Sequence, residues 1–302
     1  MDRFEAMSVL LAAAETGSLS KASRRLGLPL ATVSRKVAEL EAHLKAELLV
    51  RSTRGVELTP SGRSYVTAAR AILDQVDEAE RTAAGEFTQP RGDLVITAPI
   101  MYGRLHAMPV VSAFLDSSPE VSAGLVLTDR IAHLVDDQVD VALRIGALPD
   151  SRLVATRLGD VRSVVCASPG YLAARGAPAA IADLDHHSAI SFESVSVASA
   201  WTFAVDGKEV PVPIRSRLSV NTIDAAIDAG LAGAGLVRAV SYQVHEHVRA
   251  GRLRVVLQAF EPAPRPVHLV YGQHTRLPLK LRAFIDFAVP RLRAKLNESA
   301  LT

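Results

Sequence analysis

The chain has 302 residues, 49% of them hydrophobic and 22% charged, with a formal net charge of +2. That is ordinary globular material, long enough for two or three domains, and the near-balance of charge argues against a protein that coats nucleic acid along its whole length. No apolar run reaches the roughly 18 residues of a membrane span, the N-terminus lacks a signal peptide's apolar core, and the lone Cys166 rules out an intramolecular disulfide framework, so a reducing cytoplasm is the expected compartment.

A first helix is expected directly after Asp2, whose carboxylate can cap it, with Glu5 three residues on. Phe4, Met7, Leu11 and Ala14 mark its buried face, and Gly17 closes it. Ser18 caps a second, short helix carrying Leu19, Ala22 and Leu26 on one side. Gly27 ends that helix where a left-handed residue is needed, and Pro29 stops it from running on. A third helix follows with Val33, Val37, Leu40 and Leu44 inward and Thr32, Ser34, Arg35 and Lys36 outward. Two short helices at a fixed angle, the second with a polar leading edge, suit a helix-turn-helix with the first helix as support. Between residues 20 and 54 there are eight Lys or Arg against three Glu. Positive charge is thus concentrated where phosphate binding needs it. A generic helical hairpin with a solvated basic face is the plainer use of the same pattern.

Residues 47–58 are β-prone with a turn near Arg54 and Gly55, and read as a two-stranded wing. Arg51, Thr53 and Arg54 would face phosphates or the minor groove. Thr59 then caps, and Pro60 opens, a long helix to about residue 85. Its stripe of Val66, Ala69, Leu73, Val76 and Ala83 has an obvious use in pairing two subunits. Packing against its own domain is the competing use.

A hinge is expected at residues 89–92, and beyond it strands and helices alternate. Strands are expected at 94–98, 121–127, 140–145, 153–158, 161–167, 210–214, 217–220, 235–238, 254–257 and 268–271. Helices are expected at 104–115, 131–136, 224–232, 241–250 and 278–296. The alternation points to an α/β domain with a mainly parallel sheet.

The motifs E-T-G-S-L-S-K-A-S-R-R-L-G (residues 15–27), A-T-V-S-R-K-V-A-E-L-E (31–41), R-S-T-R-G-V-E-L-T-P-S-G (51–62) and P-I-M-Y-G-R-L-H (99–106) together resemble the LysR-type transcriptional regulators. V-A-L-R-I-G (141–146), C-A-S-P-G-Y-L (166–172) and G-R-L-R-V-V-L (251–257) extend the resemblance over nearly the whole chain. It implies a multidomain α and α/β protein. Residues 1–59 would form a winged helix-turn-helix and 60–88 a linker and dimerisation helix. Residues 93–302 would form a two-lobed effector-binding domain like the type 2 periplasmic binding proteins. One lobe would span about 93–162 and 269–302, the other about 163–268. Double-stranded promoter DNA, a small-molecule effector and other copies of the chain, as a dimer or a dimer of dimers, are the implied partners. Lys45 departs from the pattern, standing where the family commonly has glycine.

Carried onto this chain, Leu30, Ala31, Thr32, Ser34 and Arg35 match the family's base- and phosphate-facing positions. Arg35 could grip a guanine edge in two places, although an ion pair with Glu39, four residues on, competes. For an effector, the segment Ala98, Pro99, Ile100, Met101 and Tyr102 leads from a strand into a helix whose free amides could hold a small carboxylate. Asn221 and Thr222 could donate from the opposite lobe, and Arg144 could supply a counter-charge. Simple capping by Asn221 and Thr222, and pairing of Arg144 with Asp140, are the alternatives. The run from Gly230 to Gly235 has the wrong order for a dinucleotide loop and reads as a helix-to-strand joint. His245 and His247 fall on different helix faces, and Cys166 lies in an apolar run without a base. No catalytic set, cofactor or metal site is therefore expected. The rival reading is a cytoplasmic solute-binding or enzymatic α/β protein with an incidental N-terminal helical module.

Overall fold

A computed structural model describes residues 1–52, 55–83, 89–129, 139–148, 153–192, 198–273 and 277–301. Helix α1 (Arg3–Thr16) begins where expected, the Asp2 carboxylate accepting from the Phe4 and Glu5 amides at 3.0 and 3.3 Å. Its buried face matches the expected one only in part, Met7 being buried as expected. Ala6, Val9, Leu10 and Ala13 are inside, and Phe4 is 50% exposed. The run from Val9 to Ala14 is apolar all round, so its periodicity carries little direction. The packing of α1 against α2 (Leu19–Leu26), α3 (Leu30–Leu44) and α4 (Pro60–Ala83) decides the face.

Ser18 and Gly27 cap α2 as expected, Gly27 at a φ of 66°. Val33, Val37 and Leu40 bury the inner side of α3 against α1. Each such aliphatic side chain contributes on the order of 2 kcal/mol when fully buried. Lys45 ends α3 in the left-handed region at a φ of 51°, its amide and that of Ala46 returning to Ala42 and Glu41. That is the physical sense of the glycine common at this position, since a side chain there costs about 1 kcal/mol.

Strands β1 (Leu49–Ser52) and β2 (Gly55–Leu58) pair antiparallel from Leu49↔Leu58 to Ser52↔Gly55, forming the wing. The Glu41 carboxylate accepts from the Leu48 and Leu49 amides at 2.8 and 3.0 Å, tying α3 to the wing's first strand. At the far end, Val56 donates its amide to the Gly17 carbonyl. Thr59 caps α4 through the Gly62 amide at 2.9 Å. The front of α4 packs on its own domain: Val66 is buried in the same core as α1, and Ala69 is fully buried. Leu73 and Val76 are only half-buried.

The remainder forms two sheets. The first has the order β4-β3-β5-β13-β6, built from β3 (Gly92–Ala98), β4 (Val121–Leu127), β5 (Val141–Ile145), β6 (Leu153–Val161) and β13 (Arg265–Gly272). The second has the order β12-β7-β11-β8-β10-β9, from β7 (Ser163–Ala167), β8 (Ala189–Phe192), β9 (Ala198–Val205), β10 (Lys208–Val220), β11 (Leu236–Val240) and β12 (Arg254–Val256). The chain leaves the first sheet after Val161 and re-enters it at Arg265, so two lobes share two crossings.

The expectation of a mainly parallel sheet is corrected. Four of the described pairings in these two sheets are parallel and five antiparallel. The return strand β13 runs against both its neighbours, and β9–β10 is a hairpin. The strands expected at 210–214 and 217–220 are one long strand, β10. It pairs antiparallel with β9 along its first part and parallel with β8 along its last. Strands β8 and β9 were not expected, nor was the short helix α7 (Pro169–Arg175). The helix expected from residue 104 starts earlier, as α5 (Ile100–Tyr102), a π-turn (Gly103–Ala107) and α6 (Met108–Ser117). Helices α8 (Ile223–Leu231), α9 (Ser241–Arg249) and α10 (Leu279–Glu298) fall close to expectation. The helix expected at 131–136 lies outside the described residues.

Candidate nucleic-acid interface and interlobe cleft

Helix α3 turns Leu30, Ala31 and Arg35 outward and Val33, Val37 and Leu40 inward, with Thr32 and Ser34 on the border. No side chain caps its start at Pro29. The first-turn amides therefore retain the positive end of the helix dipole for an external acceptor such as phosphate. The Arg35 guanidinium meets Glu39 at 2.6 Å, so the competing ion pair is present. Both partners are well exposed, and such pairs contribute no more than about 1 kcal/mol, so a base edge or phosphate can displace Glu39. Lys36, expected on the outer face, is drawn back to Glu5 of α1 and is mostly covered. It ties the two helices together. Glu15 does similar work, accepting from Arg25 of α2 and Arg70 of α4, each at 2.7 Å. Arg51 lies in β1, while Thr53 and Arg54 fall outside the described residues.

In the α/β domain, the expected effector residues are not brought together around a ligand. Ala98 and Tyr102 are fully buried and Met101 nearly so, all in a core that runs through both lobes. Their side chains serve packing, because a strand running straight into a helix presses the junction against the sheet. Pro99 and Ile100 remain at the surface. The helix start is not free either: the Ile100 amide donates to the Asp129 carboxylate at 3.0 Å. Asp129 is carried there by the Thr128 amide, which bonds the Ala98 carbonyl. A carboxylate of the chain itself thus occupies the position expected for a ligand's. Thr222 caps α8 through the Ala225 amide, as its alternative reading had it, while Asn221 is exposed. Arg144 is half-buried in β5 and donates to the Leu143 carbonyl.

The larger described cavity, about 520 Å³, is elsewhere. It opens on the second lobe, beneath the crossover that leads into β13, and none of the eight expected residues lines it. Arg238 and Arg265 supply positive charge to its wall, Trp201 and Phe192 apolar surface, and Ser191 and Gln243 hydrogen-bonding groups. Arg238 is oriented by donating from Nε to the Ser163 hydroxyl at 2.9 Å. The lining thus carries two guanidiniums against one carboxylate, Glu209, together with an indole, a set that can hold a small molecule with an anionic group and a flat apolar portion. The sequence signals were present, as the only tryptophan and an arginine in a strand near a lobe crossing, but strands β8 and β9 that assemble the wall were not recognised.

The lobes also touch directly. Arg104 of the π-turn bonds Asp224 of α8 at 2.7 Å. Tyr102 and His106 stack edgewise on Tyr242 of α9, with ring centroids 5.4 and 5.3 Å away. Burial pushes the His106 imidazole down to about 4, with help from the nearby Lys295 and His245 charges, so the ring is neutral at physiological pH. Cys166 is wholly buried in β7 and its thiol is pushed up to about 12 by that burial, which leaves it unreactive. The glycines from Gly230 to Gly235 join α8 to β11, helix to strand.

Residues 4–63 match the model of the bacterial regulatory helix-turn-helix protein, lysR family, and residues 87–293 that of the LysR substrate binding domain. An HTH-type transcriptional repressor of Pseudomonas aeruginosa is 33% identical over 304 residues, covering 100% of this chain and 96% of its own. The Escherichia coli transcriptional activator AaeR is 31% identical over 286 residues, covering 95% and 93%. Among solved structures, CrgA of Neisseria meningitidis superposes with a TM-score of 0.61 at 30% identity, over 95% of this chain and 98% of that one. A repressor and an activator both stand among these relatives.

Proposed function

The chain belongs to the LysR family of transcriptional regulators, and we propose that it reads promoter DNA with α3 and senses a small carboxylate in the second-lobe cavity. The observation that carries this reading is one chain holding both an exposed, uncapped recognition helix and a cavity walled by Arg238, Arg265 and Trp201. Leu30, Ala31, Thr32, Ser34 and Arg35 would contact bases and phosphates, and Arg51, Thr53 and Arg54 would anchor the wing. Of the residues expected for the effector, Ala98, Met101 and Tyr102 are removed from contact by their burial, and Pro99, Ile100, Arg144, Asn221 and Thr222 lie outside the lining of this cavity. Regulators of this kind, including the relatives above, are not enzymes, and the rival solute-binding or enzymatic reading is set aside. A cytoplasmic location follows from the proposed work on DNA.

The ligand would act by preferring one arrangement of subunits, changing the spacing of paired recognition helices and hence promoter binding or bending. A thermal-shift panel of small aliphatic and aromatic carboxylates tests the cavity. At a hundredfold excess over its dissociation constant, a binder stabilises the protein by about 2.7 kcal/mol. Such a carboxylate should raise the melting temperature of the wild type and lose most of that effect with Arg265→Ala. A panel that shifts neither protein, or shifts both equally, counts against the cavity, and an unchanged footprint on bound DNA with that carboxylate present counts against the mechanism.

Pairing of subunits is proposed through the second half of α4. Val66 and Ala69 are consumed by the chain's own core, so the stripe left for a partner is Leu73 and Val76, with the exposed Ile72 beside it. Replacing Leu73 and Val76 together with glutamate should reduce the assembly to smaller species by light scattering, because buried carboxylates without partners are costly in such a seam. An unchanged mass would place the pairing surface elsewhere.

A further inference from the structure

Arg162 is the single residue between β6 and β7, where the chain first crosses from one lobe to the other. Its guanidinium is engaged on every nitrogen. Nε and Nη2 donate to the two oxygens of the Glu261 carboxylate at 2.8 and 2.9 Å, and Nη1 donates to the Leu301 carbonyl at 2.7 Å. Glu261 belongs to the second crossing, residues 257–264, between β12 and β13. The backbone of Arg162 is held as well. Its amide donates to the Ser241 hydroxyl at 3.2 Å, and its carbonyl accepts the Ser241 amide at 2.8 Å. Ser241 is the first residue of α9. One side chain and one peptide unit thus join both crossings, the start of α9 and the segment after α10.

The pair is built for direction as well as charge. A guanidinium and a carboxylate meeting through two parallel hydrogen bonds fix each other's plane, which an ammonium cannot do. The Glu261 side chain is only 12% exposed, so solvent screens its side of the pair weakly. The residues that follow the pair on each crossing line the 520 Å³ cavity: Ser163 after Arg162, and Pro262 and Ala263 after Glu261. Ser163 orients Arg238 through its hydroxyl. Arg265 opens β13 directly opposite Val161, the residue before Arg162. Arg238 is therefore oriented from the first crossing, and Arg265 is carried by the second.

We propose that Arg162 and Glu261 are the positioning pair of the effector cavity, holding the two interlobe crossings together so that Arg238 and Arg265 face one space. This rests on the reading of that cavity as the effector site. Hinges work through a few residues at the ends of elements that absorb backbone rotation. Arg162 stands at such a place, yet it is fixed by both its backbone and its side chain. The wall between the crossings is thus preorganised, and a ligand does not have to order it.

Hydrogen exchange on the full-length protein tests the pair without any ligand. In Glu261→Gln and in Arg162→Lys, amides at 258–261 and 238–241 should exchange faster by roughly tenfold, the factor for one lost hydrogen bond to a charged group. Strands β3 and β4, away from the crossings, should keep wild-type protection. Arg162→Lys retains the charge and loses the fork, so it separates bidentate geometry from charge alone. Combining Arg162→Glu with Glu261→Arg rebuilds an ion pair across the neck. It should recover part of the protection that either single reversal loses. Benzoate, a small anion with a flat apolar portion, probes the cavity: its shift of the wild-type melting temperature should largely vanish in Glu261→Gln. Unchanged exchange at the crossings in Glu261→Gln, or a rise shared equally by β3 and β4, overturns the positioning role. So does a reversed pair no better protected than the single reversals, or a benzoate shift that survives Glu261→Gln intact. If benzoate shifts not even the wild type, that counts against the cavity as the effector site, and the exchange rates alone decide the pair. If the reversed pair does not fold, Glu261→Gln and Arg162→Lys decide it.

Discussion

Arg35→Ala is expected to weaken binding to a duplex selected by the wild-type protein from a random pool by roughly 10- to 100-fold, the range for one bidentate arginine contact. The guanidinium is exposed on the outer face of α3, held by Glu39. The same geometry gives Glu39→Ala the opposite sign: removing the internal carboxylate frees the arginine for DNA, so binding should tighten or hold. If the pair merely stabilised the helix, both variants would weaken binding alike through the fold. The salt dependence separates bases from phosphates. Loss of a phosphate contact lowers the slope of log affinity against log salt by about one, whereas loss of a base contact leaves the slope and relaxes sequence preference. Wild-type affinity in Arg35→Ala at every salt concentration would remove this residue from the interface.

Gly62→Ala should be more damaging to the head than any of the surface changes. A Cβ at this position would sit 2.0 Å from the Leu48 carbonyl oxygen and 2.9 Å from its carbon, both backbone atoms that cannot rotate away. The Leu48 carbonyl is already engaged by the Thr59 amide at 3.0 Å. To admit one methyl group, the first turn of α4 must part from the strand leading into the wing. That releases Thr59, whose hydroxyl joins the Glu47 carbonyl to the helix cap. Overpacking of this kind commonly costs about 1–3 kcal/mol, and more where only backbone can yield. The expected readouts are a lower denaturation midpoint and a large loss of DNA binding in the same variant. A midpoint and affinity equal to wild type would show that the wing and the linker helix are not in the close contact described.

Much of the head was legible because its signals are local. Asp2, Ser18 and Thr59 satisfy amides two or three residues away, and Gly17 and Gly27 sit where a helix must reverse its hand. Lys45 is the instructive departure, since the backbone there keeps the left-handed shape that the usual glycine favours. The inward and outward faces of α3 followed from spacing, but the fate of Lys36 did not, because its partner Glu5 lies in α1. The same limit explains the face of α1, whose all-round apolar run could be oriented only by three neighbouring helices.

The effector domain divides along the same line. Its alternation of strands and helices, and the helices at α8, α9 and α10, could be read from periodicity within a few turns of chain. Strand direction could not, because pairing depends on where the chain returns: β13 comes back from the second lobe to lie antiparallel between β5 and β6. The surroundings of the residues expected for the effector depend on the same kind of contact. The start of α5 does offer an amide, but tertiary packing brings Asp129 to it and draws Ala98, Met101 and Tyr102 into the core. By itself, then, the sequence determined the family, the order of a helix-turn-helix part before an effector-binding part, and the caps that begin and end the helices of the head, since caps depend on hydrogen bonds and apolar spacing within one or two turns. Only the tertiary structure decided which charges meet, where the cavity opens and how the linker helix is held. Arg238, Arg265 and Trp201, like Lys280 and Asp74, become neighbours solely through folding, and electrostatic contacts and cavities depend on distance in space rather than along the chain.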